Sequence, residues 1–148
     1  MGRRINLYIG PRLAQLLEER AGRGRSTSGV VNAVADRYLE TVRRYTPRLA
    51  VNEWLAIFDA LNGVWAGDNA AMAVQSLPYG VSDFLTLEGA AEKWEVDGPE
   101  LVEKLEALDW CQRLAVIDAA ERFWARQDWP SEHHDLVAAV VGKSAINE

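Results

Sequence analysis

Arg4-Ile5-Asn6-Leu7-Tyr8-Ile9-Gly10-Pro11 decides how the chain begins. Polar and apolar residues alternate over residues 4–9, the period of a strand with one buried face. Ile5, Leu7 and Ile9 are expected to point inward, and Arg4, Asn6 and Tyr8 outward. Gly10-Pro11 ends the strand, and Pro11 suits the first turn of a helix, where its missing N–H would have no partner anyway. Leu13, Leu16, Leu17 and Arg20 continue at helical spacing through Ala21, and Gly22 and Gly24 break the pattern. Ser26-Thr27-Ser28 offers hydroxyl caps for a second helix. That helix carries Val31, Val34, Ala35, Tyr38 and Val42 on one face, continues to about Arg44, and is stopped by Pro47.

A single strand cannot satisfy its own hydrogen-bond ladder, and about 45 residues bury too little surface to fold alone. Both difficulties vanish if two copies pair their strands antiparallel and interlock their helices. The exposed face of the resulting ribbon would present Arg4, Asn6 and Tyr8 twice. Such a ribbon fits the major groove of DNA, where Arg can bond guanine and Asn adenine bidentately. The second-helix N-termini near Ser26–Ser28 would offer backbone N–H groups to phosphates.

These residues resemble the ribbon-helix-helix proteins of the Arc, MetJ and CopG type. The resemblance covers about residues 3–44. It rests on the alternating strand, the Gly-Pro opening of the first helix, and the turn Gly24-Arg25-Ser26-Thr27-Ser28. It implies base reading by Arg4, Asn6 and Tyr8, and phosphate binding by Ser26, Thr27 and Ser28 with Arg3 and Arg25 beside them. Gly29 and Asn32 depart from the family's common pattern, which often has Glu and a basic residue there.

Charge divides the chain near the same place. Residues 1–48 hold ten Arg, no Lys and four acids, a net +6, whereas residues 49–148 hold six basic residues and eighteen acids, a net −12. The overall −6 thus conceals a basic arm and an acidic body, and all six Trp lie in the body. Two domains are expected, residues 1–47 and residues 48–148.

The body reads as helical throughout. Val51, Trp54, Leu55, Phe58, Leu61 and Trp65 recur at helical spacing, up to Ala66-Gly67. Asp68 is placed to cap a short helix over residues 69–76, and Leu77-Pro78-Tyr79-Gly80 reads as a turn. Further helices are expected from Ser82 or Thr86 to Trp94, from Pro99 to Ala107, from Asp109 to about Gln127, and from a Ser131 cap to Val141. No strand signal competes. The expected fold is therefore mainly α: a ribbon-helix-helix dimer through one short antiparallel strand, followed by an all-α domain.

Helical spacing places Trp54, Trp110 and Trp124 in the core, whereas Trp65, Trp94 and Trp129 near helix ends suit a contact surface. Residues 86–108 have the outline of a helix-turn-helix. Its second helix, however, carries Glu100, Glu103 and Glu106 against Lys104 alone, which the groove would repel. There is no Gly-rich phosphate loop or nucleophile motif, so no enzyme and no cofactor are expected. His133 and His134 point about 100° apart on a helix and do not form a metal pair, and no metal site is expected. One cysteine, Cys111, allows no internal disulfide, and no stretch is apolar enough for a membrane span, so a cytoplasmic protein is expected.

The function expected on these grounds is sequence-specific binding of an operator in double-stranded DNA by a homodimer or higher homo-oligomer that regulates transcription, most simply a repressor. The acidic domain would serve further oligomerisation, an effector, or a basic protein partner. The alternative is an antitoxin whose C-terminal domain neutralises a basic toxin. Antitoxin tails of this arrangement are often disordered before binding, whereas residues 49–148 are long and apolar enough to fold alone.

Overall fold

Pro11 opens α1 (Pro11–Arg20), whose first hydrogen bond runs from the Ala14 amide to the Gly10 carbonyl at 2.9 Å. The structure, a computed structural model, describes residues 9–20, 24, 26–62, 70–126, 128 and 130–147. Residues 4–8 of the expected strand lie outside the described residues, as do Arg3, Arg25, Trp65, Trp129 and the expected Asp68 cap. Ile9 and Gly10 belong to no regular element. Among the described residues the chain is mainly helical, with eight α-helices and one two-stranded sheet.

The chain divides into two compact units, Met1–Glu40 and Thr41–Glu148. The division falls inside α2 (Thr27–Tyr45), seven residues before the boundary expected at Pro47. In the first unit, α1 ends at Arg20 and Gly24 adopts φ +83, a left-handed conformation that favours glycine.

The second unit is closed by an element that the sequence pattern did not announce. β1 (Leu49–Ala50) pairs in parallel with β2 (Ile146–Asn147), Leu49 opposite Ile146 and Ala50 opposite Asn147. The all-α expectation is corrected on this point. A two-residue strand is too short to show alternation, and this one is fixed by contacts remote in sequence. Leu49 and Ile146 are buried, the Asn147 side-chain Nδ2 donates to the Arg48 carbonyl at 3.2 Å, and the Trp54 indole N–H donates to the Ala145 carbonyl at 3.0 Å.

α3 (Val51–Ala60) is the hub. Every residue from Glu53 to Phe58 is buried, which makes this helix central rather than amphipathic. Phe58 stacks on Phe123 with ring centroids 4.5 Å apart, and Trp124 meets Phe123 edge-on at 5.0 Å. The Trp124 indole N–H reaches the Phe58 carbonyl at 2.8 Å. α3 stops at Ala60 rather than running to Ala66-Gly67, because Leu61 and Asn62 enter a turn. Asn62-Gly63 is a dipeptide that favours leaving a helix.

The turn expected at Leu77-Pro78-Tyr79-Gly80 is also corrected: these residues lie inside α4 (Ala70–Leu85). An interior proline costs about 3 kcal/mol. Val74, Leu77, Val81 and Leu85, however, occupy one face and are all buried, and Pro78 is buried beside them. Burying a side chain of this size contributes about 1.5–3 kcal/mol, so four of them outweigh the proline.

After a turn, Gly89 at φ +79 begins the short α5 (Ala90–Lys93). This interrupts the helix expected to run on to Trp94. α6 (Gly98–Glu106) is capped by the Asp97 carboxylate on the Glu100 amide. α7 (Trp110–Ala125) is capped reciprocally by Asp109 and Gln112. α8 (His133–Val141) begins after Glu132 with no side-chain cap, so the Ser131 cap does not form. Gly142 at φ +86 ends it and leads through a 3-10 turn (Lys143–Ala145) into β2.

Glu53 is buried, yet its carboxylate accepts from the Ala50 amide at 3.0 Å and from Lys104 Nζ at 2.8 Å. The hydrogen bond from Lys104 to Glu53 raises the lysine's pKa above its ordinary value, against a smaller opposing effect of burial. A raised lysine pKa means stabilisation that is fully present at neutral pH and lost as pH climbs through the alkaline range. Lys104→Met, which leaves Glu53 without its cation, is expected to cost about 1–2 kcal/mol at neutral pH. Urea unfolding followed across pH should show that gap narrowing at alkaline pH.

Candidate nucleic-acid interface

The site expected to hold phosphate is the start of α2. The Ser26 carbonyl accepts the Val30 amide at 3.0 Å, and Ser26 Oγ accepts the Gly29 amide at 3.1 Å. Ser26 is therefore the N-cap, the residue whose side chain satisfies an amide that the helix cannot. Intrahelical geometry offers no acceptor to the amides of Thr27 and Ser28 in the first turn. Ser26, Thr27, Ser28 and Gly29 are all exposed, and Ser28 Oγ lies 3.4 Å from Ser26 Oγ. The result is a solvent-facing helix terminus with a positive dipole end, flanked in sequence by Arg23 and Arg25.

Gly29 has a local reason here. A Cβ at this position would sit 3.1 Å from Ser26 Oγ, closer than side chains ordinarily tolerate. A larger residue would press on the hydroxyl that makes the cap. Ser26→Ala is expected to cost about 1 kcal/mol of stability, read as a shift of the urea midpoint.

Apolar burial in the first unit is sparse. Among its described residues Val30 alone is buried, and α1 contains no buried residue. Leu13, Leu16, Leu17, Val31 and Val34 are half-buried, and Ala35 is exposed. Ile9 is 47% exposed, Tyr38 39% and Leu39 44%. The α2 face expected to be core is thus only partly covered within one chain. Arg12 and Arg20 on α1 are exposed, and among the described residues Arg20 pairs with Glu19 at 3.5 Å in an exposed arrangement worth little. The expected base readers Arg4, Asn6 and Tyr8, and the phosphate partners Arg3 and Arg25, lie outside the described residues.

In the second unit the tryptophans are sorted differently from their expected roles. Trp54 is fully buried and Trp124 packs against the core as expected, but Trp110 is 50% exposed at the start of α7. Trp94, expected on a contact surface, is half-buried. Its indole N–H donates to Asp59 at 2.9 Å, and Lys93 bonds the same carboxylate at 3.0 Å. Spacing misplaced Trp110 because the residue follows its N-cap directly, where the helix has no preceding turn to pack beneath it. Tyr79, 75% exposed on α4, was hidden by the turn reading of its neighbours.

Among the described residues no three His, Cys, Asp or Glu side chains gather to hold a metal, and no helix is long and apolar enough to cross a membrane. His133 faces the Trp94 ring at 5.9 Å, and His134 lies 3.9 Å from Asp135. Cys111 is a half-buried free thiol. Comparison with known proteins finds no matching family model, no matching curated protein and no matching solved structure.

Proposed function

We propose that the chain is a cytoplasmic, dimeric, sequence-specific regulator of transcription that places an N-terminal two-stranded ribbon in the major groove of its operator. The observation that carries this reading is the first unit's combination of basic charge with an apolar face that is only partly covered. A net +3 over Met1–Glu40, from seven Arg against four acids, and a single buried apolar residue among its described part make little sense for a solitary folded unit. Pairing of two copies would cover Leu13, Leu16, Val31, Val34 and Tyr38. It would also align two capped α2 termini with the phosphates on either side of the groove. Arg4, Asn6 and Tyr8 would then read bases from both strands of the ribbon.

The acidic second unit would be held away from the phosphates. It has its own buried core around Trp54, Phe58 and Phe123, which favours the regulator over an antitoxin with a tail that folds only on its target.

Selection of duplexes from a randomised library by the full chain tests this reading. The expected product is an enriched motif with repeated or palindromic half-sites, bound by an even number of chains. Recovery of no enriched motif would count against sequence-specific recognition.

A further inference from the structure

Three hollows on the second unit share walls and form one trough along the outer side of α4. The first, about 600 Å³, lies between the end of α4 and α6, with Leu85, Pro99, Val102 and Glu103 in its walls. The second, about 330 Å³, shares Ser82, Val102 and Glu106 with the first and adds Tyr79. The third, about 230 Å³, shares Gln75 and Arg113 with the second and ends at Trp110.

Two features mark this trough as a docking surface. Tyr79 and Trp110 stand 75% and 50% exposed along it, and these residue types are enriched as anchors where partners dock. Its α6 wall carries the exposed carboxylates of Glu103 and Glu106, for which no ion pair is found among the described residues. The cation in the trough, Arg113, is already engaged. Its guanidinium donates to the carbonyls of Leu108, Glu106 and Gln75, tying the end of α6 to α4.

Charge decides what fits. Lys93, Lys104, Arg122 and Arg126 are each paired with acids of the same unit. Residues 41–148 hold nine basic and eighteen acidic side chains, a net −9, so the unit as a whole is acidic. A second copy of this face would bring Glu103 and Glu106 against like charge, which costs rather than stabilises.

We propose that the trough between α4 and α6, closed at one end by Trp110, docks a basic amphipathic segment of another protein. Its apolar side chains would lie on Tyr79, Val102 and Trp110, and its Lys or Arg would meet Glu103 and Glu106. This concerns the second unit and does not rest on DNA binding by the first.

The test is fluorescence anisotropy of a labelled amphipathic leucine–lysine peptide titrated with the full chain at low salt, beside a matched leucine–glutamate peptide. The lysine peptide is expected to bind. Tyr79→Ala and Trp110→Ala should each weaken it about tenfold or more. Glu103→Gln with Glu106→Gln should weaken it and flatten its salt dependence. Met72→Ala, at an exposed apolar residue outside the trough, should leave affinity unchanged. Circular dichroism confirms that the variants fold. Failure of the lysine peptide to bind, equal binding of the glutamate peptide, or unchanged affinity in both aromatic variants would overturn the proposal. So would a change in the sedimentation of the peptide-free chain on replacing Tyr79 or Trp110, since the occupant would then be a second copy.

Discussion

Arg4→Ala and Asn6→Ala are each expected to weaken binding to a selected duplex by about thirtyfold or more. A bidentate contact between a side chain and a base contributes about 1–3 kcal/mol of discrimination, and a symmetric ribbon makes each contact twice. One substitution therefore removes about 2–6 kcal/mol, and each 1.4 kcal/mol is tenfold in affinity. The loss should be concentrated on the selected sequence. Binding to unrelated duplexes should change little for Asn6→Ala, because asparagine carries no charge to give to phosphate. Ser26→Ala and Thr27→Ala should do the reverse, weakening all duplexes alike. Anisotropy titrations on matched and scrambled duplexes separate the two patterns. If Arg4→Ala and Asn6→Ala bind the selected duplex as the parent does, the ribbon is not the reader.

The second large effect is on stability. Trp54→Ala should destabilise the second unit by about 3–5 kcal/mol, the usual range for emptying a buried aromatic site. Trp54 is fully buried, sits 5.6 Å from the Phe58 ring, and donates to the Ala145 carbonyl. The indole thereby fastens the chain's C-terminal segment to its central helix, next to the β1–β2 pair. Trp54→Phe keeps most of the packing and removes the donor. It should cost about 1–2 kcal/mol and expose the residues after Val141 first. Guanidinium unfolding gives the free energies, and hydrogen exchange at residues 145–147 locates the loss. Parent-like stability of both variants would mean that the closure does not depend on this tryptophan.

Much of the architecture was legible in particular residues. Pro11 and Asp109 mark helix starts by local chemistry alone, a fixed φ and a carboxylate cap, and each stands at or beside the start of its helix. Ser26 was legible for the same reason. Features decided by distant packing were not. Pro78 looks like a stop signal in isolation, and only the burial of Val74, Leu77 and Val81 against other helices keeps α4 continuous. β1 and β2 have two residues each, and their pairing depends on partners nearly a hundred positions apart. Trp110 and Trp94 exchanged their expected settings because helical spacing tells which residues share a face, not whether that face is covered. Tyr79 and the pair Glu103 and Glu106 lie in two separate readings of the sequence and meet only in the fold.

The split of charge also yields a prediction that the overall −6 would not. Under the proposed function the basic arm would neutralise phosphate and the acidic body would contribute repulsion at longer range.

Salt dependence of duplex binding by the full chain is the most direct test of the proposed function. Affinity should fall linearly on a log–log plot of binding constant against salt, by about 0.9 for each phosphate neutralised, with a total slope of several. Even numbers of chains should be bound throughout. Absence of binding to any duplex at low salt, or binding indifferent to salt, would contradict a basic ribbon seated on DNA.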